Sequence, residues 1–111
     1  MIIGILLTTG PEYQNSQSVH TFSNALLRSG NEVRLFLMDD GIYNIVCGLA
    51  CEIAESFEDL QSKGLEIMLC RQSAERRGVL ETNCLSKAAW RSQIELAKCI
   101  EQSKRFLSFG R

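Results

Sequence analysis

Ile2, Ile3, Ile5, Leu6 and Leu7 form an almost unbroken apolar run, interrupted only by Gly4. A strand with one wetted face alternates apolar and polar residues. A run that is apolar at nearly every position suits a strand buried on both faces, inside a parallel sheet covered on each side. That restricts the fold to helices layered on a sheet, and the following residues supply the parts. Thr8 to Ser16 is turn chemistry, with Gly10-Pro11 ending the strand and Asn15 or Ser16 available to cap a helix. Val19, Phe22, Ala25, Leu26 and Ser29 share one helical face, and Gly30 stands where a C-terminal cap belongs, which predicts a crossover helix over residues 17–29. Glu32 to Met38 then alternates Val33, Leu35 and Leu37 with Phe36 and Met38 as a second strand. Strand, helix, strand is a βαβ unit, whose crossover is right-handed.

Asp39-Asp40-Gly41 breaks the second strand. Ile42 to Ala50 is apolar and reads as a short helix or folded loop over the sheet edge; lying outside the obvious core elements, it is expected at a subunit contact. Ile53, Phe57 and Leu60 recur at helical spacing up to Gly64, predicting a second crossover helix. Leu65, Ile67 and Leu69 alternate with Glu66 and Met68 as a third strand, and Gln72 to Arg77 is a run of helix formers closed by Gly78. Val79 and Leu80 read as a short strand, Glu81 to Cys84 as a loop, and Ser86 as the cap of the longest helix. In that helix Trp90, Ile94, Ala97 and Ile100 share a face, with Trp90 a core anchor and Cys99 at the border of the stripe. Arg105 to Phe109 fits a final strand. The sum is a single domain over residues 1–111 of α/β class, a three-layer α/β/α sandwich around a mainly parallel sheet of four to five strands.

Composition narrows the function. Lys and Arg number 12 against 13 Asp and Glu, for a net charge of -1, so the basic footprint of a direct nucleic-acid binder is missing. The opening apolar run is too short to span a membrane and lacks the features of a secretion signal, so a cytoplasmic address without membrane attachment is expected. The cysteines at 47, 51, 70, 84 and 99 are odd in number and are expected to be mainly reduced thiols. Cys47 and Cys51 lack a second metal-type pair and His20 is far away in sequence, so no metal is expected. The first turn carries no Gly-x-Gly-x-x-Gly and no Gly-Lys-Ser/Thr, and Pro11 removes a backbone donor, so no nucleotide cofactor is expected either.

Cys70 stands out by position. It falls where the third strand ends and a helix begins, the edge at which open α/β sheets bind ligands. Arg71, Arg76 and Arg77 follow closely, a setting suited to a nucleophilic thiol. The competing reading makes Cys70 a small apolar residue closing the strand, since free cysteine is among the most buried residue types.

Several stretches together resemble the DsrE/TusD-like sulfur-relay family: Leu6-Leu7-Thr8-Thr9-Gly10-Pro11-Glu12-Tyr13, then Ala25-Leu26-Leu27 with Gly30 and Val33, then Phe36 to Asp40 with Gly41-Ile42-Tyr43-Asn44, and Cys70 with Arg76-Arg77-Gly78. The similarity runs from Ile2 to about Gly78 and resumes at the last strand. It departs between Glu81 and Ser103, where a charged helix replaces the glycine-rich stretch common in the family. The resemblance implies a trimer or hexamer, of one chain or several, in which Cys70 takes sulfane sulfur as a persulfide and passes it on. Donors of the TusA-like type and acceptors of the DsrC/TusE-like type are the implied partners, in tRNA thiolation or sulfur oxidation. Arg71, Arg76 and Arg77 become candidates for stabilising the anion, and Gly10, Tyr13 and Tyr43 for lining the pocket. Persulfide transfer needs no cofactor or metal. The alternative is a non-catalytic subunit or small-molecule-binding module of the same fold.

Overall fold

The computed structural model describes residues 1–48 and 51–110, the side chain of residue 51 excepted. Five strands, β1 (Ile2–Leu7), β2 (Glu32–Leu37), β3 (Glu66–Cys70), β4 (Ala89–Arg91) and β5 (Arg105–Phe109), form one parallel sheet in the order β4-β3-β2-β1-β5. The first strand is paired on both sides, as its unbroken apolar run requires. Phe109, Leu7, Leu37, Leu69 and Trp90 are register partners in one row across all five strands.

That row belongs to the face covered by α1 (Asn15–Arg28) and α2 (Cys51–Ser62). Val33, Leu35, Val19, Phe57 and Leu60 are fully buried there, and His20 of α1 meets the Phe57 ring edge-on at 5.9 Å. The opposite face has a smaller cluster, Phe36, Met68, Cys70 and Cys99, under α4 (Gln93–Gln102) alone. The result is an α/β/α sandwich with one heavily and one lightly covered face.

Five sequence expectations change. The buried side of α1 is Ser16, Val19 and Ser23, while Phe22, Ala25 and Ser29 face outward, because the helix is rotated to pack on both sheet and α2. Ile42, Ile45 and Val46 are inside this chain's own core, in and just after a 3-10 segment over Asp39–Ile45, so they form no exposed patch for a subunit contact; Leu49 and Ala50 of the same stretch lie outside the described residues. Val79 and Leu80 form no strand; the fourth strand is Ala89–Arg91. The last helix starts at Gln93 and is shorter than α1, with Ile94 and Ile100 exposed. Trp90 is in β4, partly buried against the larger core, and is not part of a helical stripe.

Gly41 is fixed by space: a Cβ there would lie 2.1 Å from the Leu7 carbonyl oxygen, so only glycine lets the chain turn this tightly over the end of β1.

Candidate functional site

Cys70 is the last residue of β3 and the N-cap of α3 (Arg71–Arg76), with extended backbone at φ -74° and ψ 114°. The short helix is held in place from outside. The Asp39 N–H donates to Ser73 Oγ at 3.0 Å, and Arg77 Nε reaches Asp40 Oδ1 at 2.9 Å while its Nη1 donates to the Ser73 carbonyl. Asp39 itself sits at φ 51°, a left-handed conformation that aspartate tolerates better than most residues. Gly78, at φ 68°, ends the segment where L-residues are disfavoured.

A cleft of about 510 Å³ opens beside Cys70. One wall is Cys70, Arg71, Gln72 and Glu75; the other is the run Arg91–Ile94, where β4 passes into α4. The two walls are tied by register. Cys70 pairs with Arg91, so their side chains leave the sheet on the same face. Arg71 is steadied by the Trp90 ring, 5.3 Å from guanidinium carbon to centroid, and by Glu81 Oε1 at 3.5 Å. Arg91 Nη1 donates to the Trp90 carbonyl at 3.3 Å, and Arg91 makes no ion pair among the described residues. The thiol residue is only 2% exposed, packed with Phe36, Met68 and Cys99. Cys70 thus closes the strand as a core residue and also forms part of a cleft wall.

The other thiols have different surroundings. Burial pushes the Cys84 thiol up to about 11, and the nearby Cys47 thiol and Glu81 carboxylate push the same way. Burial also raises Cys99, opposed by a hydrogen bond with Ser103 and the charge of Arg34 and reinforced by Glu66. Cys47 is exposed. No group of three or more potential metal ligands occurs among the described residues.

Of the arginines singled out from sequence, Arg71 lines the cleft, Arg77 is committed to Asp40, and Arg76 is exposed away from the cleft walls. Gly10 and Tyr13 follow β1, two strand spacings from β3, roughly 10 Å, and Tyr43 is in the 3-10 segment Asp39–Ile45 after β2. They line no wall of the Cys70 cleft. Their region is knitted by hydrogen bonds. Buried Asn44 donates to the carbonyls of Thr9 and Gly41 at 3.0 and 2.8 Å and lies against Ser16 Oγ, which donates to the Gly10 carbonyl. The Gly10 carbonyl also accepts the Tyr13 N–H.

Sequence reasoning missed Arg91, Ser92 and Gln93 because it ran one helix through them from Ser86. The available signal was Ser92-Gln93-Ile94-Glu95, a Ser-x-x-Glu capping box. In the structure Ser92 Oγ accepts the Ile94 N–H at 3.2 Å and donates to Glu95 Oε2 at 2.9 Å.

The model of the DsrE/DsrF-like family matches residues 1–109. The ychN protein from E. coli has the same fold at a TM-score of 0.89, with 22% identity over 98% of this chain and 99% of that one. BT1422 from Bacteroides thetaiotaomicron, a conserved protein of unknown function, gives 0.80 at 17% identity over 97% and 94%. MTH1491 from Methanobacterium thermoautotrophicum, also of unknown function, gives 0.78 at 10% identity over 96% and 97%. No curated protein sequence matches the chain.

Proposed function

Because this chain belongs to the DsrE/DsrF-like family, we propose that it is a cytoplasmic sulfur carrier whose Cys70 accepts sulfane sulfur as a persulfide and hands it to a partner protein. The family match points to a sulfur-relay role. The observation that carries the assignment to one residue is the position of Cys70, at the end of β3 in the wall of a cleft that also holds Arg71 and Arg91. A persulfide is an anion at neutral pH, and fixed guanidinium groups with hydrogen-bond donors such as Gln72 and Gln93 suit it. No metal or cofactor is required for transfer between sulfur atoms. Donors of the TusA-like type and acceptors of the DsrC/TusE-like type fit this role, in a homotrimer or hexamer or with other chains of the family. No described helix is long and apolar enough to cross a membrane.

The test is delivery. Protein loaded with polysulfide, freed of excess and mixed with a TusE-like acceptor should transfer sulfur, and Cys70→Ser treated identically should transfer none. Equal transfer from both would end the carrier reading.

A further inference from the structure

We infer that the cleft itself binds a small sulfur oxyanion bearing a sulfane sulfur, thiosulfate being the simplest, and that Cys70 takes the sulfur from it directly. The inference rests on the carrier reading and names the donor. Three observations lead to it. Cys70 is 2% exposed and forms part of the cleft wall, where a small ion has room beside it. The cleft, at about 510 Å³, lies in the range of small-molecule sites, roughly 300–1,000 Å³. Its walls include two arginines, Arg91 without an ion pair among the described residues and Arg71 paired with Glu81, and one carboxylate, Glu75.

The arginines are placed for different parts of the task. Arg91 is the register partner of Cys70 on an adjacent strand, on the same face of the sheet, and has no carboxylate partner among the described residues. Arg71 is anchored by Trp90 and Glu81. A guanidinium fork matches the oxygens of a sulfonate group as it matches those of phosphate or carboxylate. With the sulfonate end held by Arg91, the outer sulfur of thiosulfate is turned toward Cys70. The thiolate attacks that sulfur, a new sulfur–sulfur bond forms to Sγ, and the old one to the sulfonate sulfur breaks. Its electron pair leaves with sulfite. Cys70 ends as the persulfide anion, and charge, atoms and electrons balance without an oxidant or reductant.

The experiment compares two donors on the full chain: thiosulfate, and elemental sulfur as an uncharged donor that needs no oxyanion site. With thiosulfate, the wild type should gain one sulfur on the Cys70 peptide and release one equivalent of sulfite. Arg91→Gln and Arg91→Ala should each slow loading from thiosulfate about tenfold or more beyond any slowing seen with elemental sulfur, the scale of one charge-assisted contact. Arg91→Lys, which keeps the charge but not the fork, should recover part of the thiosulfate rate. Loading by elemental sulfur but not by thiosulfate overturns the inference and leaves the carrier reading standing. Failure of both donors overturns both. Equal loss with both donors in the Arg91 variants would overturn its role as the ligand of the oxyanion.

Discussion

Cys70 and Cys84 are almost equally hidden, 2% and 7% exposed, yet the molecule surrounds them in opposite ways. Cys84 pairs through an isolated antiparallel bridge with Val46, packs into the larger core, and has another thiol and a carboxylate as its charged neighbours. Cys70 ends a strand under the thinly covered face, with a cleft beside it and two arginines in the walls. Burial alone does not distinguish a cysteine beside an open cleft from one packed into the core. What differs is the sign of the nearby charge and whether a small molecule has room to approach.

The larger effect that sharpens this contrast is on stability in alkali. The folded-state pKa of Cys84 is raised from 9.0 to about 11, so the native state holds this proton more tightly than the unfolded chain. For a raised pKa the stabilisation is full below the unfolded value and is lost as pH climbs toward the folded one. Urea midpoints should therefore fall between pH 9 and 11, by at most about 2 kcal/mol from this group. Cys84→Ser, which does not titrate in this range, should show a shallower decline, with Cys99 supplying a remaining part in the same direction. An unchanged slope would mean that Cys84 is not the buried, proton-holding thiol of the pair.

A smaller effect is expected at the clip that holds the turn after Cys70. Arg77 pairs with Asp40, whose side chain is 62% exposed, so Arg77→Ala should cost under about 1 kcal/mol in urea unfolding. A loss above about 2 kcal/mol would show that the turn beside Cys70 depends on this contact as a core does, and would erase the distinction between a packed site and an open one.

The strands and crossovers up to Arg77 were legible because each rests on local pattern. The run Ile2–Leu7 requires burial on both faces, and Val33, Leu35 and Leu37 alternate with side chains of the other face. Cys70 was legible for the same reason, since the position of a strand end is a local fact. Arg91 was not. Its place beside Cys70 comes from strand pairing across twenty intervening residues, and a three-residue strand leaves almost no periodicity to read. Ile94 and Ile100 misled in the opposite direction: their spacing mimics a buried stripe, but α4 meets the sheet through Leu96 and Cys99. The segment Ile42–Val46 read as exposed because no regular element claimed it, although an irregular segment buries apolar side chains as well as a helix does when it crosses the sheet edge.

The most direct measurement is the distribution of sulfur among the cysteines of the native wild-type protein after brief exposure to less than one equivalent of polysulfide. Peptide mass mapping should place the added sulfur on Cys70, ahead of Cys47, although Cys47 is exposed and Cys70 is 2% exposed. Sulfur found chiefly on Cys47, in proportion to exposure, would contradict the account and leave Cys70 as a residue that only closes its strand.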